Sequence, residues 1–263
     1  MNWPAFVAML KTTWQIWLQS RSFFFLLAFG WMIPPLVYLF VWSTVASDHT
    51  IGGMTQGEFI SYYLLLILVN QLTYSQTNWT VGDSIRNGGL SLDLLRPVPP
   101  FYGTLASELA GKVVYMLFVV PVVLLLALIL HPVLHPTLPG MLFFLPSLML
   151  AWLLRFLWGY WLALLAFWAT RADALLALQD SLIFLLAGQV APVALLPGPL
   201  HTSAALLPFR YMLGFPVEVL IGHLNTTEMI SSLLLQACWL LFALGLSMLL
   251  WRAGLRRYTA VGG

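Results

Sequence analysis

An all-α, polytopic membrane protein is the fold class this sequence predicts. Three observations carry that prediction: the composition, six long apolar stretches, and the placing of the few basic residues. Hydrophobic residues make up 61% of the chain and charged residues 8%, with a mean hydropathy of +0.91. An ordinary soluble domain is about 45–50% apolar and about 25% charged. A soluble chain of this composition would lack the charged side chains needed to cover its surface. A formal net charge of +2 is too mild to imply nucleic acid as a partner; the partner the composition implies is membrane lipid.

The first element is amphipathic. Within 1–20, Trp3, Phe6, Val7, Leu10, Trp14, Trp17 and Leu18 fall on one helical face, with Lys11, Thr12, Gln15 and Gln19 on others. Three tryptophans on so short a stripe suit the headgroup region, so the segment reads as an interfacial helix. The plainer alternative is a helix packed on the rest of the protein. A cleaved signal peptide is not expected, because charge is sparse before a long first apolar run and no small-residue cleavage site closes it.

A spanning helix needs roughly 20 mostly apolar residues. Six transmembrane helices are expected on that test, at 23–45, 59–81, 105–130, 141–169, 174–196 and 229–251. The fourth is longer than a membrane is thick and must tilt or project. Orientation follows from the cations. Lys11 and Arg21 precede the first span, Arg86, Arg96 and Lys112 fall between the second and third, Arg171 separates the fourth from the fifth, and Arg252, Arg256 and Arg257 follow the sixth. The remaining loops, 46–58, 131–140 and 197–228, hold Arg210 alone. That asymmetry places both termini in the cytoplasm. His49, His131, His135, His201 and His223 then all fall outside. His131 and His135 are four apart, yet Pro132 and Pro136 follow them directly and oppose a helical metal pair, so no metal site is expected. Cys238 is the sole cysteine, which excludes an intrachain disulfide, and it reads as a small buried hydrophobe.

Two connections are too long and too patterned to be mere links. The cytoplasmic one, 82–103, reads GDSIRNGGLSLDLLRPVPPFYG. Asp83 or Ser84 can cap a short helix carrying Ile85 and Arg86, and Gly88 and Gly89 can break it. Leu90, Leu92, Leu94 and Leu95 offer apolar contacts beside Asp93 and Arg96, and Pro97, Pro99 and Pro100 form a stiff exit. Leucines mixed with charges on a cytoplasmic loop suit docking into a groove of a soluble partner better than solvation. The outer connection, 197–228, is apolar enough to enter the membrane but is interrupted by Pro199, Pro208 and Pro216 and carries Arg210 and Glu218. No run within it is long enough to span. Short re-entrant helices before the sixth span, covered by protein, are therefore expected, with a loop resting on the headgroups as the alternative.

Polar residues within the spans are few. Asn70 and Gln71 head a cluster in the second span that continues through Thr73, Ser75, Gln76 and Asn78; Arg155 lies in the fourth and Asp180 in the fifth. A charge in hydrocarbon costs roughly 2.5–3.5 kcal/mol on insertion scales, so Arg155 and Asp180 should face protein or water and are candidates to pair. The second-span cluster fits either interhelical glue or contact with a transported molecule. Glu108 and Lys112, spaced i,i+4 with Glu first, read as a structural pair.

With these segments in place, the chain resembles the permeases of type-2 ABC exporters along essentially its whole length. The resemblance rests on six spans behind an amphipathic N-terminal helix, on Arg86 followed by Leu94-Leu95-Arg96-Pro97-Val98, and on Leu207-Pro208-Phe209-Arg210 with Phe215-Pro216. The tail from Arg256-Arg257-Tyr258 to Gly262-Gly263 is similar to the subgroup in which two different permeases share one ATPase. The resemblance implies one permease domain over 1–263 in the cell (inner) membrane. It also implies a second permease as partner, a heterodimer being favoured over a homodimer, and a dimer of ABC ATPase subunits engaged by a coupling helix at about 84–95. The chain lacks G-x-x-x-x-G-K-[ST], so no cofactor is expected on it, and ATP and Mg would sit on the partner ATPase. Lipid, glycan, peptide and drug are all compatible substrates. Two other classes fit less well. A secondary carrier or channel could use Arg155 and Asp180 as an ion path. An intramembrane enzyme would need a serine with a histidine at matching depth, or H-E-x-x-H, and the sequence offers neither.

Overall fold

The computed structural model describes residues 3–19, 21–169 and 173–258. In chain order its α-helices are α1 (Trp3–Gln19), α2 (Arg21–Val45), α3 (Gln56–Thr73), α4 (Thr77–Arg86), α5 (Gly89–Leu94), α6 (Pro100–Leu130), α7 (Leu138–Leu164), α8 (Asp173–Leu186), α9 (Gly198–Leu206), α10 (Pro208–Met212), α11 (Gly214–Ile221) and α12 (Thr226–Leu255). Local chemistry sets many of their starts. Thr55 and Asn225 form capping boxes with Glu58 and Glu228, and Thr137 accepts from the Gly140 amide. Proline occupies the first turn of α6, α7, α9 and α10, where a missing N–H costs nothing.

Among the described residues four helices are long and apolar enough to cross a membrane, within α2, α6, α7 with its 3-10 extension, and α12. The other two stretches expected to span are shorter than their hydropathy suggests. The stretch 59–81 is split at 74–76 into α3 and α4, leaving α3 with 18 residues, about 27 Å of helix. The stretch 174–196 contributes α8 with 14 residues, about 21 Å, after which the chain reverses. Gly188 takes a left-handed φ of 85° there, and its Cα faces the Tyr62 hydroxyl so closely that a Cβ would lie 2.2 Å from it.

The core is built around α3. Phe59, Tyr62, Tyr63, Leu66 and Ile67 are all buried, because α2, α6, α7 and α11 pack on every side of the helix; apolar residues all round a helix need such cover. Polar groups on α3 then fasten its surroundings. Tyr62 donates to the Gly188 carbonyl, and Tyr63 and Trp42 Nε1 both donate to that of Val190, fixing the reversal after α8. Ser61 donates to the Val133 carbonyl at 2.6 Å, and the Val133 amide donates to the Gly57 carbonyl, fixing the link from α6 to α7. That link is not helical at His131 or His135, as the prolines require. Across the α7–α12 face, Gln236 Nε2 donates to the carbonyls of Ser147 and Tyr211, the kind of interhelical bond favoured where lipid supplies no hydrophobic drive.

The N-terminal helix packs along α6. The Trp17 ring occupies the space a side chain at Gly111 would need, 2.5 Å from a Cβ built there, and meets Tyr115 edge-on. Trp14, Ile16 and Leu18 remain exposed, so α1 has a protein face and a second apolar face open to its surroundings. Cys238 differs from expectation. It lies exposed on α12 near other exposed apolar residues such as Leu241 and Phe242. In a chain whose outer surface is as apolar as its core, an apolar neighbourhood does not mean burial in protein.

Candidate functional site

The segment 82–103 folds as an elbow of two helices, not as one helix over 84–95. Asp83 and Ser84 do not start a helix; they fall in the last turn of α4, where Asp83 pairs with Arg86. The break comes at Asn87-Gly88, with Gly88 in the left-handed region at φ 76°. Gly89 lets α5 fold back closely, since a Cβ there would lie 3.1 Å from Ser84 Oγ. The leucines divide by role. Ile85 and Leu90 are buried with Tyr160 and Leu164 of α7, while Leu92, Leu94 and Leu95 are exposed, Leu95 at 82%. Arg96 pairs with Asp93 at 3.1 Å and stays largely exposed. The elbow therefore rests on α7 by two apolar anchors and presents a leucine surface flanked by charge.

Above the elbow, the polar cluster of the second stretch marks the break between α3 and α4. A helix end leaves carbonyls or amides without partners; at this break they are met by side chains of α6. Lys112 Nζ donates to the Tyr74 carbonyl at 2.7 Å. Glu108 Oε1 accepts from the Gln76 amide at 2.8 Å and from the hydroxyls of Ser75 and Thr77 at 3.0 Å each. Gln76 Nε2 in turn donates to the Tyr115 hydroxyl. The sequence reading of Glu108 and Lys112 as a pair holds only loosely, at 3.9 Å; their shorter contacts are with the break. Nothing in their i,i+4 spacing shows this, whereas the polar run from Tyr74 to Asn78 was a usable signal of the break itself.

Arg155, buried on α7, donates to Asn70 Oδ1 at 2.8 Å and Thr73 Oγ1 at 3.2 Å and lies over the Tyr74 ring. Gln71 donates to the Ala28 carbonyl of α2. Asp180 forms no close ion pair with Arg155: it is exposed on α8 and accepts from its neighbour Gln179. The expected Arg155–Asp180 pair is thus replaced by neutral partners on α3, which were closer to hand.

On the opposite end, 197–228 folds as the three short helices α9, α10 and α11. Pro208 opens α10 and Pro216 lies buried in α11. Arg210 Nε and Nη2 donate to Glu218 Oε2 at 3.0 and 2.6 Å, with both side chains largely buried. Burial works against the Arg210 charge, but Glu218 outweighs it and holds the guanidinium above its usual range. The pair borders a cavity of about 420 Å³ that also touches Tyr62, His201, His223 and Ser232. His223 Nε2 sits 3.2 Å from Glu58; among the described residues no third acid, His or Cys joins to make a metal site. Arg171 and the Gly262-Gly263 tail lie outside the described residues.

The family model for the ABC-2 family transporter protein matches residues 32–262 of this chain. No curated protein and no solved structure matches it.

Proposed function

This chain belongs to the ABC-2 transporter family, and on that premise we propose that it is the permease subunit of an ATP-driven exporter whose ATPase is a separate polypeptide. The observation that carries the proposal is the elbow of α4 and α5. Its inner residues Ile85 and Leu90 are buried against α7, and its outer residues Leu92, Leu94 and Leu95 are exposed among the described residues. Exposed leucines flanked by Asp93 and Arg96 suit a hydrophobic groove with a charged rim on a soluble ATPase.

In this reading the whole chain is one permease domain that crosses the inner membrane six times, with the α3–α4 pair as a broken second crossing and α8 as a short fifth. Both termini face the cytoplasm, α1 lies at the inner interface, and α9, α10 and α11 form a re-entrant outer cap. The second-crossing polar residues would be interior glue near the pathway. A second, different permease would complete the pathway, and ATP with Mg would be held by the ATPase pair, none on this chain. ATP-driven movement of the elbow would shift the permease between two packings. The carrier reading with an ion path through Arg155 and Asp180 is less favoured, because the hydrogen bonds of Arg155 go to Asn70 and Thr73.

The test is a mild-detergent pull-down from native membranes with an ATPase assay on the product. The parent chain should bring down a stoichiometric subunit carrying a phosphate-binding loop. Leu92→Asp with Leu95→Asp, changes at exposed positions, should reduce that capture about tenfold or more. A parent chain that purifies alone and without ATPase activity overturns the proposal.

A further inference from the structure

The helix from the outer surface to the elbow is interrupted at 74–76, so intrahelical hydrogen bonds cannot carry a displacement of α4 into α3. Among the described residues a hydrogen-bonded bridge spans the gap from a single turn of α6, beside the packing of α7 against both helices. Lys112, a cation, sits at the carbonyl end of α3, through Tyr74. Glu108, an anion, sits at the amide end of α4, through Gln76 and the hydroxyls of Ser75 and Thr77. Each charge lies at the helix end of opposite partial charge, the favourable sense for both. Both side chains are nearly buried, 8% exposed for Glu108 and 12% for Lys112, where such contacts are least screened. Arg155 reaches only the α3 side, through Asn70 and Thr73.

Discontinuous helices in transporters can hold a substrate at their free ends. The ends here are occupied by the protein's own side chains, and the adjoining cavity is small, about 40 Å³. We propose that Glu108 and Lys112 are positioning residues that splice α3 to α4, so that movement of the elbow reaches the buried centre of the protein as movement of one strut. The role given to the elbow rests on the permease reading above; the splice itself does not.

The experiment places spin labels at Leu92→Cys on the elbow and Gln56→Cys at the far, exposed end of α3, in a Cys238→Ser background. A control pair, Leu142→Cys and Leu234→Cys, reports on α7 against α12. With Glu108 and Lys112 intact, both pairs should give a single narrow distance distribution. Glu108→Gln, which keeps shape and loses charge, and Lys112→Met should broaden the elbow–α3 distribution and leave the control narrow; Lys112→Arg should restore it. An elbow–α3 distribution that stays narrow in both variants overturns the splice, and so does equal broadening of the control, which would mean general loosening. Within the ATPase complex the same variants should retain co-purification yet lose several-fold in elbow-dependent ATPase stimulation. A chain that captures no ATPase refutes the permease reading alone, because the distance measurements are made on the isolated chain.

Discussion

The hydroxyls of Tyr258 and Ser91 lie 2.8 Å apart, joining the residues after α12 to the elbow across 167 positions of sequence. The Tyr258 ring also meets Phe167 edge-on, and Phe167 fills the space above Gly254, where a Cβ would come within 2.1 Å of it. The ends of α7 and α12 therefore converge under α5. Removing only the hydroxyl, as Tyr258→Phe, should cost about 1 kcal/mol and speed amide exchange over 89–94 about fivefold. Because the two hydroxyls satisfy each other, Tyr258→Phe with Ser91→Ala should be no worse than either alone; additive effects would show that the bond is not what holds the elbow.

Arg210 and Glu218 form a largely buried ion pair between α10 and α11. Arg210→Met would leave the carboxylate buried beside one apolar neighbour too many, and such unpaired charges cost about 3–5 kcal/mol. A double variant, Arg210→Met with Glu218→Leu, should regain most of that loss. Thermal unfolding in detergent measures both, and a single variant as stable as the parent would show that the pair contributes nothing.

Gly111 is one position at which α1 packs closely on α6. Gly111→Val places two methyl groups into the Trp17 ring and should displace α1, an overpacking penalty of about 1–3 kcal/mol. Limited proteolysis within 3–19 should quicken. Adding Trp17→Ala should return α1 toward its parent protection, because the clash is with that ring; no recovery would place the fault elsewhere.

Glu58 predicts a pH effect at the first turn of α3. Burial pushes its carboxyl up, but the Thr55 amide and hydroxyl, with His223 nearby, outweigh burial and hold it below its ordinary value. A carboxyl depressed in the folded state stabilises the protein fully above the unfolded-state value of about 4.3, and that contribution fades as pH falls through the folded value. Parent and Glu58→Gln melting temperatures should therefore differ at neutral pH and converge at acidic pH. A gap that is constant with pH would assign the effect to the shape of the cap and not to its charge.

The parts of the functional region that rest on local chemistry were legible in the residues. Gly88 as a breaking point, the prolines that interrupt 197–228, and Arg210 with Glu218 as the charges of that segment can all be picked out from the chain. Choice of partner was not legible. Asn70 and Thr73 won Arg155 over Asp180, and Tyr258 met Ser91, through approaches between helices that no spacing along one helix encodes. The break at 74–76 falls between: its polar run is visible, but Glu108 and Lys112 satisfy the i,i+4 rule equally well as a pair and as caps.

By itself the sequence determined that this protein is helical and that its solvent is lipid, because hydropathy and proline act on the backbone locally; it did not show that 59–81 breaks at 74–76 or that 174–196 yields only the short α8. Only the tertiary structure decided which apolar faces meet protein and which meet lipid. Cys238 and the exposed leucines of α6 and α12 are as apolar as the buried core around α3. In a bilayer both environments accept the same side chains, so the distinction rests on packing and on the few hydrogen bonds that bind one helix to another.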